Sequence, residues 1–251
     1  AGDALVAEGI LSSAVSLSRH LREPRSCTIH LIVPAADWRL YEGLVDCLRS
    51  LTAALPGAPE VRLHEAQHRS LKYQVRLHLD EYLPGVRRAL WIDADTIVQS
   101  DVGRLFARRM DYALAAVPGM RGELTFHRTV VTPIKAPRDA RLYGLRNLTE
   151  GVYFNTGVLL FDLERWAAEG RAAAVARWSE DDQLALNLEF EDRYDRLDWR
   201  WNLMGLANAC EMPAGCMDAA HVLHWSGWLA KPWEDKASRW HGRWYSRRRC
   251  G

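Results

Sequence analysis

The stretch that decides the fold is residues 90–98, which read LWIDADTIV. It begins as an apolar run, which predicts a buried strand over residues 88–92. Asp93 and Asp95 follow this strand, and on an extended backbone their side chains point the same way because they are two residues apart. Two such carboxylates oppose each other's ionisation unless a cation lies between them. Since ligands of open α/β sheets bind beyond the carboxyl ends of strands, the stretch predicts a divalent cation that bridges both acids to a diphosphate. The alternative is a helix N-cap followed by a turn acid.

Strands and helices alternate along the chain on both sides of this stretch. Short apolar, β-branched runs predict strands, and apolar residues at helical spacing predict helices. The predicted strands are residues 28–33, 61–65, 88–92, 112–117, 157–163, 195–198 and 221–225. The predicted helices are residues 8–21, 38–55, 71–82 and 180–191, with a loop-rich excursion over 119–150 and a solvated tail or helix over 239–251. This alternation predicts an α/β protein with a mostly parallel sheet, in one domain.

The composition is that of a globular protein. The 251 residues include 33 Lys and Arg against 32 Asp and Glu, which gives a net charge of +1. The hydrophobic fraction of 48% excludes a disordered chain. A near-neutral charge gives no broad basic field, so no nucleic-acid partner is expected. No apolar run approaches the ~20 residues that span a bilayer. Because the chain begins with Ala1 rather than Met, we interpret it as a piece of a longer protein, from which any membrane anchor would have been removed.

Cysteine and tryptophan contents leave alternatives open. The 5 cysteines contain no Cys-x-x-Cys pair, which is unfavourable for a zinc knuckle. Disulfides Cys27–Cys47 and Cys210–Cys216 are one interpretation, and free buried thiols are the other. The triplet 147–149 (NLT) is a glycosylation sequon that favours a secretory compartment. The 11 tryptophans fit either core anchoring or stacking on sugar rings.

A second segment with candidate ligands is residues 220–233, which read AHVLHWSGWLAKPW. His224 ends a predicted strand ahead of a glycine turn, which makes its imidazole a candidate metal ligand. Lys231 would neutralise a phosphate as a point charge. A lone histidine is more often structural, and the ligand interpretation is favoured here by its occurrence with the two aspartates.

Two further segments carry polar residues at element ends. Residues 153–162 read YFNTGVLLFD, where Asn155 would hydrogen-bond a ligand and Gly157 would allow close backbone approach. A plain turn before a strand is the alternative. Residues 181–187 read DDQLALN at a helix start, where either acid would cap the helix and interact favourably with its dipole.

Taken in their order along the chain, the four segments 90–98, 153–162, 181–187 and 220–233 resemble glycosyltransferase family 8, which includes glycogenin and bacterial galactosyltransferases. The triplet 200–202 (RWN) and the run 224–227 (HWSG) look closest to the plant galacturonosyltransferase-like branch. The resemblance covers residues 3–233. It implies a GT-A fold, with a Rossmann-like, mostly parallel central sheet flanked by helices. It further implies a single domain, residues 1–251, whose nucleotide-binding part is about 1–118 and whose acceptor part is about 119–251.

The resemblance also implies an activity. It is the transfer of a hexose, pentose or hexuronic acid from a UDP-sugar to a glycan or glycoconjugate acceptor, with retention at the anomeric carbon and with Mn²⁺ as cofactor. Two carboxylates and an imidazole suit Mn²⁺ better than Mg²⁺, which prefers oxygen ligands. The expected location is the Golgi or another secretory lumen in a eukaryote, or the cytoplasmic face in a bacterium.

Site residues are carried over from the resemblance by matching position. The metal would be bound by Asp93, Asp95 and His224. The expected nucleotide and diphosphate contacts are Asp3 at the uridine, the Ala94 backbone at the ribose, and Arg76, Gly227 and Lys231 at the diphosphate. The donor sugar would be lined by Asn155, Thr156 and Gly157, with Asp182 and Gln183 facing the reacting carbon.

Two departures from the family accompany these assignments. The family has a strand before the position matched to Asp3, and this chain starts without it. It usually has two residues between the glycine matched to Gly227 and the lysine matched to Lys231, where this chain has three.

The neutral amide of Gln183 is a poor nucleophile, which favours a front-face, leaving-group-assisted reaction over a covalent intermediate. A metal-dependent phosphate-ester hydrolase and a non-catalytic UDP-sugar-binding protein are the alternatives.

Overall fold

The computed structural model describes residues 2–23, 26–55, 58–66, 74–119, 125–126, 129–130, 154–178, 181–191, 193–207, 212–227, 231–234 and 243–245. The helices are α1 (Gly2–His20), α2 (Trp38–Thr52), α3 (Leu79–Tyr82), α4 (Gly103–Phe106), α5 (Leu163–Ala168), α6 (Arg171–Ala176), α7 (Asp182–Phe190) and α8 (Ala214–Ala219). The strands are β1 (Thr28–Val33), β2 (Glu60–Glu65), β3 (Arg88–Ile92), β4 (Thr96–Val98), β5 (Leu114–Pro118), β6 (Thr125–Phe126), β7 (Thr129–Val130), β8 (Phe154–Asp162), β9 (Asp195–Arg196) and β10 (Val222–His224).

The chain folds into two compact units that alternate along the sequence. The first unit comprises residues 1–69, 93–107 and 203–251, and the second comprises residues 70–92 and 108–202. Residue 118, where the sequence places the division between nucleotide and acceptor parts, lies inside the second unit. The single-domain assignment stays a prediction.

The first unit has a core between two helices and a parallel strand pair. Strands β1 and β2 pair in parallel from Thr28–Glu60 to Val33–Glu65. Apolar residues recur on one face of α2 at helical spacing and turn toward the strands. The buried residues of this core are Leu11, Ala14, Val15, Val33, Tyr41, Leu44, Val45, Leu48 and Val61.

The first unit also contains the pairing that returns a late segment to the acidic stretch. Strands β4 and β10 are antiparallel, with His224 opposite Thr96. A histidine near the end of the chain is therefore held in register with the residue that follows Asp95.

The second unit contains a four-stranded sheet in the order β3-β8-β5-β9. Strand β8 is buried along almost all of its length, as its continuous apolar sequence predicts. An aromatic group covers it: the Trp166 ring meets Phe161 edge-on at 5.0 Å and stacks on Phe190 at 5.8 Å. The Trp166 indole N–H donates to Leu77 O at 3.0 Å, so the large ring leaves no unsatisfied donor.

Most sequence-based elements are confirmed within a few residues, and those over 28–33 and 88–92 agree at both ends. The predicted helix over 71–82 is instead a 3-10 turn at Gln74–His78 followed by α3, with residues 71–73 outside the described part. Strand β4 and the short helices α4, α5, α6 and α8 were not predicted. These helices have only four to six residues, which is too short for apolar periodicity to show.

The α/β class is accompanied by mixed strand pairing. Parallel pairing, which the sequence predicts to predominate, joins β1 to β2 and β5 to β9. Strand β8 runs antiparallel to both β3 and β5. Within the loop-rich excursion, β6 and β7 form an antiparallel pair, and the rest of residues 120–153 lies outside the described residues, as does most of 239–251.

The proposed disulfides Cys27–Cys47 and Cys210–Cys216 are wrong. Cys27 and Cys216 are free, while Cys47 is disulfide-bonded. Spacing along the chain does not fix which cysteines approach each other in the fold, which explains the error. Burial raises the pKa of the Cys27 thiol, with smaller opposing and reinforcing effects from Ser26 and Asp101. Among the helices that the structure describes, none is both long and apolar enough to cross a bilayer.

Candidate functional site

The first unit holds a cluster of two carboxylates and one imidazole. Asp93 and Asp95 lie in the turn between β3 and β4, and His224 ends β10. His224 Nε2 lies 3.3 Å from Asp95 Oδ1 and 3.9 Å from Asp93 Oδ2. One ligand atom from each residue falls within 4.8 Å of the others. The structure therefore brings together the three residues that the sequence predicts as metal ligands.

Backbone hydrogen bonds fix this arrangement. The N–H of Trp225 donates to Asp95 O at 2.9 Å, which ties the residue after His224 to the acidic turn. The His224 N–H donates to Leu203 O at 2.9 Å, on the other side of β10. The imidazole is thus held by strand pairing on both sides and is 1% exposed.

Asp95 is buried and lies between an imidazole and an ammonium. Its Oδ1 faces His224, and its Oδ2 accepts a hydrogen bond from Lys231 Nζ at 2.5 Å. Burial alone would raise the pKa of Asp95, but the charges and hydrogen bonds of His224 and Lys231 outweigh it and hold that pKa well below its usual range. Asp95 is therefore an anion in the folded chain at any pH near neutrality.

The donor set fits a divalent metal ion. Two carboxylate oxygens and one imidazole nitrogen can converge on one centre, and such mixed ligands suit transition metals such as Mn²⁺ and Zn²⁺. Lys231 supplies one positive charge beside two carboxylates, so the cluster keeps a net negative charge that would attract a cation.

The glycine turn and the lysine after β10 lie where the sequence places them relative to the histidine. Gly227 has a φ of 113°, a conformation that side-chain-bearing residues rarely adopt. Lys231 Nζ donates to Trp225 O at 3.1 Å as well as to Asp95. In the first unit Lys231 is therefore a partner of the acidic turn, and its contact with a diphosphate stays a prediction.

The second unit holds a cluster of amides at the start of β8. Gln183 Oε1 accepts from Asn155 Nδ2 at 3.1 Å, from the Thr156 backbone N–H at 3.2 Å and from Thr156 Oγ1 at 3.4 Å. Because a backbone N–H can only donate, the atom that meets it must be the amide oxygen. Asn155 Oδ1 in turn accepts from the Gly157 N–H at 2.9 Å. The structure thus brings Asn155, Thr156, Gly157 and Gln183 together.

Two further asparagines support this cluster. Asn187 accepts from the Phe154 N–H at 2.8 Å and donates to Phe154 O at 2.9 Å, so it pairs with the β8 backbone in place of a neighbouring strand. Asn202 donates to Asn155 Oδ1 at 3.0 Å. Both are buried. Sequence reasoning assigned neither a role, although the spacing of four residues from Gln183 to Asn187 places both on one face of α7.

The structure separates the roles of the adjacent acids Asp181 and Asp182. Asp181 caps α7, because its Oδ1 accepts from the Leu184 N–H at 3.0 Å. Asp182 instead pairs with the Arg76 guanidinium, at 2.7 Å between Oδ2 and Nε, and both side chains are buried. Arg76 also donates to Thr156 O at 2.6 Å and lies over the Trp91 ring at 4.6 Å.

The two remaining predicted contacts lie in the first unit. Asp3 falls in the first turn of α1, and its side chain is outside the described part. Ala94 lies in the acidic turn, and its carbonyl oxygen faces Gly9 of α1. Their roles toward a nucleotide stay predictions.

Comparison with solved structures identifies the fold. The galactosyltransferase LgtC, in complex with donor and acceptor sugar analogues, superposes with a TM-score of 0.64 at 18% identity, over 94% of this chain and 89% of that chain. A second structure of LgtC, an active-site mutant, gives a TM-score of 0.63 at 20% identity. The fold is thus the GT-A fold of glycosyltransferases, as predicted.

Comparison of sequences identifies the family. A family model described as Glycosyl transferase family 8 matches residues 7–237. The chain therefore belongs to glycosyl transferase family 8. The probable galacturonosyltransferase-like 7 of Arabidopsis thaliana is 26% identical over 90% of this chain, and this chain spans 66% of that relative's length. The probable galacturonosyltransferase-like 2 of the same organism is 25% identical over 92% of this chain and 74% of its own length.

Proposed function

We propose that the chain is a retaining glycosyltransferase that moves a hexose, pentose or hexuronic acid from a UDP-sugar to a glycan or glycoconjugate acceptor with the help of Mn²⁺. The observation that carries the proposal is the cluster of the half-buried Asp93 with the buried Asp95 and His224, in a member of glycosyl transferase family 8. The names of the relatives suggest galacturonate or galactose as the sugar that is transferred. A location in a secretory lumen stays a prediction.

The first unit would handle the nucleotide leaving group. Asp93, Asp95 and His224 would hold the metal, which would supply Lewis-acid stabilisation to the departing diphosphate. Lys231, already placed against Asp95, adds positive charge beside this cluster. Breaking the bond from sugar to phosphate leaves negative charge on the nucleotide, so positive charge held in advance lowers the barrier.

The second unit would handle the donor sugar. The Gln183 oxygen is occupied by three donors, whereas its amide nitrogen meets no acceptor among the described residues. Gln183 is therefore held with its N–H groups available to a sugar hydroxyl or to the acceptor. Asn155, Thr156 and Gly157 would line the same sugar.

The Arg76–Asp182 ion pair favours the front-face route over a covalent one. A carboxylate that is ion-paired with a guanidinium is a weaker nucleophile than one with no cation beside it, because the positive charge stabilises its lone pairs. Asp182 is suited instead to stabilise positive charge that develops on the sugar ring as the leaving group departs. Neither Asp182 nor the neutral Gln183 is arranged as an activated nucleophile.

Calorimetry with UDP, with and without Mn²⁺, tests the proposal. We expect UDP to bind in the presence of Mn²⁺ and to bind at least about tenfold more weakly without it, which corresponds to about 1.4 kcal/mol. UDP binding that is independent of the metal would contradict the assigned role of the cluster.

Turnover then identifies the donor and separates the alternatives. UDP-galacturonate, UDP-galactose, UDP-glucose and UDP-xylose are tested for release of UDP, and the anomeric configuration of the released sugar or product is read by proton NMR. A glycosyltransferase should favour one donor and yield the retained anomer. Release of inorganic phosphate would indicate the hydrolase alternative, and binding without turnover of any donor would indicate a non-catalytic protein.

A further inference from the structure

We propose that Ser13 and Thr96 are positioning residues for the metal cluster, acting through a hydrogen-bond relay that runs from helix α1 to the backbone of Asp93. The inference rests on the proposed metal role of Asp93, Asp95 and His224, and it adds residues that touch none of the metal-binding atoms.

The direction of the relay follows from which hydroxyl donates each hydrogen bond. Thr96 Oγ1 donates to Asp93 O at 2.8 Å, and Ser13 Oγ lies 2.9 Å from Thr96 Oγ1. A hydroxyl has one proton. Since the Thr96 proton is used on Asp93 O, Ser13 must donate to Thr96. The direction is therefore from Ser13 to Thr96 to the Asp93 carbonyl, with each oxygen polarised by the previous donor.

Thr96 is placed to fix both halves of the cluster. It directly follows Asp95 in the chain, and its backbone is opposite His224 in the β4–β10 pair. Its side chain is fully buried, so water does not compete for the hydroxyl. Loss of the hydroxyl would leave Asp93 O and Ser13 Oγ without these partners and would loosen the turn on which both aspartates sit.

Helix α1 brings a complementary surface to this turn. Gly9, Ser13 and Ser16 are spaced by four and three residues, which places them on one face of the helix. Ser16 Oγ accepts from the Val98 N–H at 2.9 Å, at the other end of β4. A Cβ at Gly9 would lie 2.9 Å from Ala94 O and would collide with the Trp233 ring. The acidic turn and strand β4 therefore rest directly on α1.

The expected change in metal affinity follows from other proteins in which a residue orients the metal ligands. Groups that orient metal ligands without touching the metal change its affinity by about 10–100-fold when removed. We expect Thr96→Val to weaken Mn²⁺ binding within that range, because valine keeps the shape and strand preference of threonine and removes the hydroxyl. Ser13→Ala should have a smaller effect in the same direction, because Thr96 can still donate to Asp93.

The chain offers matched controls. Thr52 is equally buried, but its hydroxyl donates to Leu48 O within α2, so Thr52→Val removes a hydroxyl without touching the turn. Ser18 donates to Ala14 O within α1 itself, which makes Ser18→Ala the control for Ser13→Ala. Thr96→Ser keeps the relay and should retain Mn²⁺ affinity close to that of the wild type.

The experiment titrates each variant with Mn²⁺ alone and follows the free-ion signal by electron paramagnetic resonance, with near-UV circular dichroism as the test of the fold. The inference predicts that Thr96→Val binds Mn²⁺ at least about tenfold more weakly, while Thr96→Ser and Thr52→Val bind it like the wild type. Wild-type affinity in a folded Thr96→Val protein, or equal loss in Thr96→Ser, would overturn it. Failure of the wild type to bind Mn²⁺ would overturn the metal role itself, which is a distinct result.

Discussion

The two units satisfy their buried polar groups in opposite ways. In the first unit, Asp93, Asp95 and His224 converge, and the Lys231 ammonium pairs with Asp95. In the second, the Gln183 amide oxygen accepts from Asn155 and Thr156, and the buried carboxylate of Asp182 is paired with the buried guanidinium of Arg76.

The difference indicates different tasks. Two carboxylates beside a single ammonium keep a net negative charge, which favours the binding of a further cation and is typical of a metal site. A closed network of amides holds its members rigid and leaves specific edges to meet a ligand. The first cluster should therefore respond to metal, whereas the second should respond to disruption of its own hydrogen bonds.

Asp95→Asn should produce the largest change, because it replaces a proposed metal-binding carboxylate by a neutral amide of the same shape. We expect Mn²⁺-dependent UDP binding to disappear from calorimetric titrations. Asp46→Asn is the control, since Asp46 makes an exposed ion pair with Arg49 on the solvent side of α2. Metal-dependent UDP binding that survives in Asp95→Asn would show that the charge of Asp95 is not needed to bind the metal.

Arg76→Met should produce the largest loss of stability in the second unit. It leaves the Asp182 carboxylate buried without its cation, which costs about 3–5 kcal/mol in the free energy of unfolding. Denaturant unfolding measures the change. The double variant Arg76→Met with Asp182→Leu should recover most of it, because no charge is then left unpaired. A double variant as unstable as the single one would show that the pair is not the source of the effect.

Gln183→Ala should separate rate from binding. If Gln183 acts on the reacting sugar, kcat falls by at least about tenfold, equivalent to about 1.4 kcal/mol, while the affinity for the donor changes less. Steady-state kinetics with the preferred UDP-sugar measures both. An increase in KM at unchanged kcat would make Gln183 a binding residue alone.

Gly9→Ala should destabilise the first unit, because helix α1 lies directly against the acidic turn. The added methyl group collides with Trp233 and crowds Ala94 O, and overpacking of this kind costs about 1–3 kcal/mol. Gly43→Ala in α2 meets nothing within 4 Å and should stabilise by up to about 1 kcal/mol through helix propensity. Thermal unfolding of both variants tests this, and equal midpoints would show that α1 does not press on the acidic turn.

The smallest expected effect concerns the pH dependence of stability. Burial, followed by the nearby charges of His64 and Arg62, lowers the pKa of His30 to about 4 from the ordinary value of 6.5. Between these two pKa values the unfolded chain binds more protons than the folded chain. The stability that depends on a neutral His30 is therefore fully present above about pH 6.5 and is lost as the pH falls toward about 4. His30→Gln should show a shallower fall in melting temperature over that range. An unchanged slope would assign the acid sensitivity to other groups.

The sequence predicts those features that local pattern determines. The strand over 88–92 and its terminal acids are visible because an apolar run that ends in two carboxylates needs compensation nearby. His224 could be matched to them through its place at a strand end before a glycine turn. Each of these two patterns is contained in one short segment of the sequence, and the fold brings the two segments together.

Other features depend on contacts between distant segments. No local signal distinguishes Asp181 from Asp182, because both suit a helix start, and only the position of Arg76 decides which one is an ion-pair partner. The roles of Asn202 and Ser13 are set in the same way by Asn155 and Thr96. The cysteine pairings failed for this reason as well, since sequence spacing says nothing about distance across a folded core.

Binding of the metal by the cluster is tested most directly by anomalous diffraction at the manganese absorption edge from crystals grown with Mn²⁺ and UDP. We expect one strong anomalous peak from a manganese ion that is bound by Asp93, Asp95, His224 and a phosphate oxygen of the nucleotide. Ordered nucleotide with no peak at these three side chains, or a peak held by other residues, would contradict it.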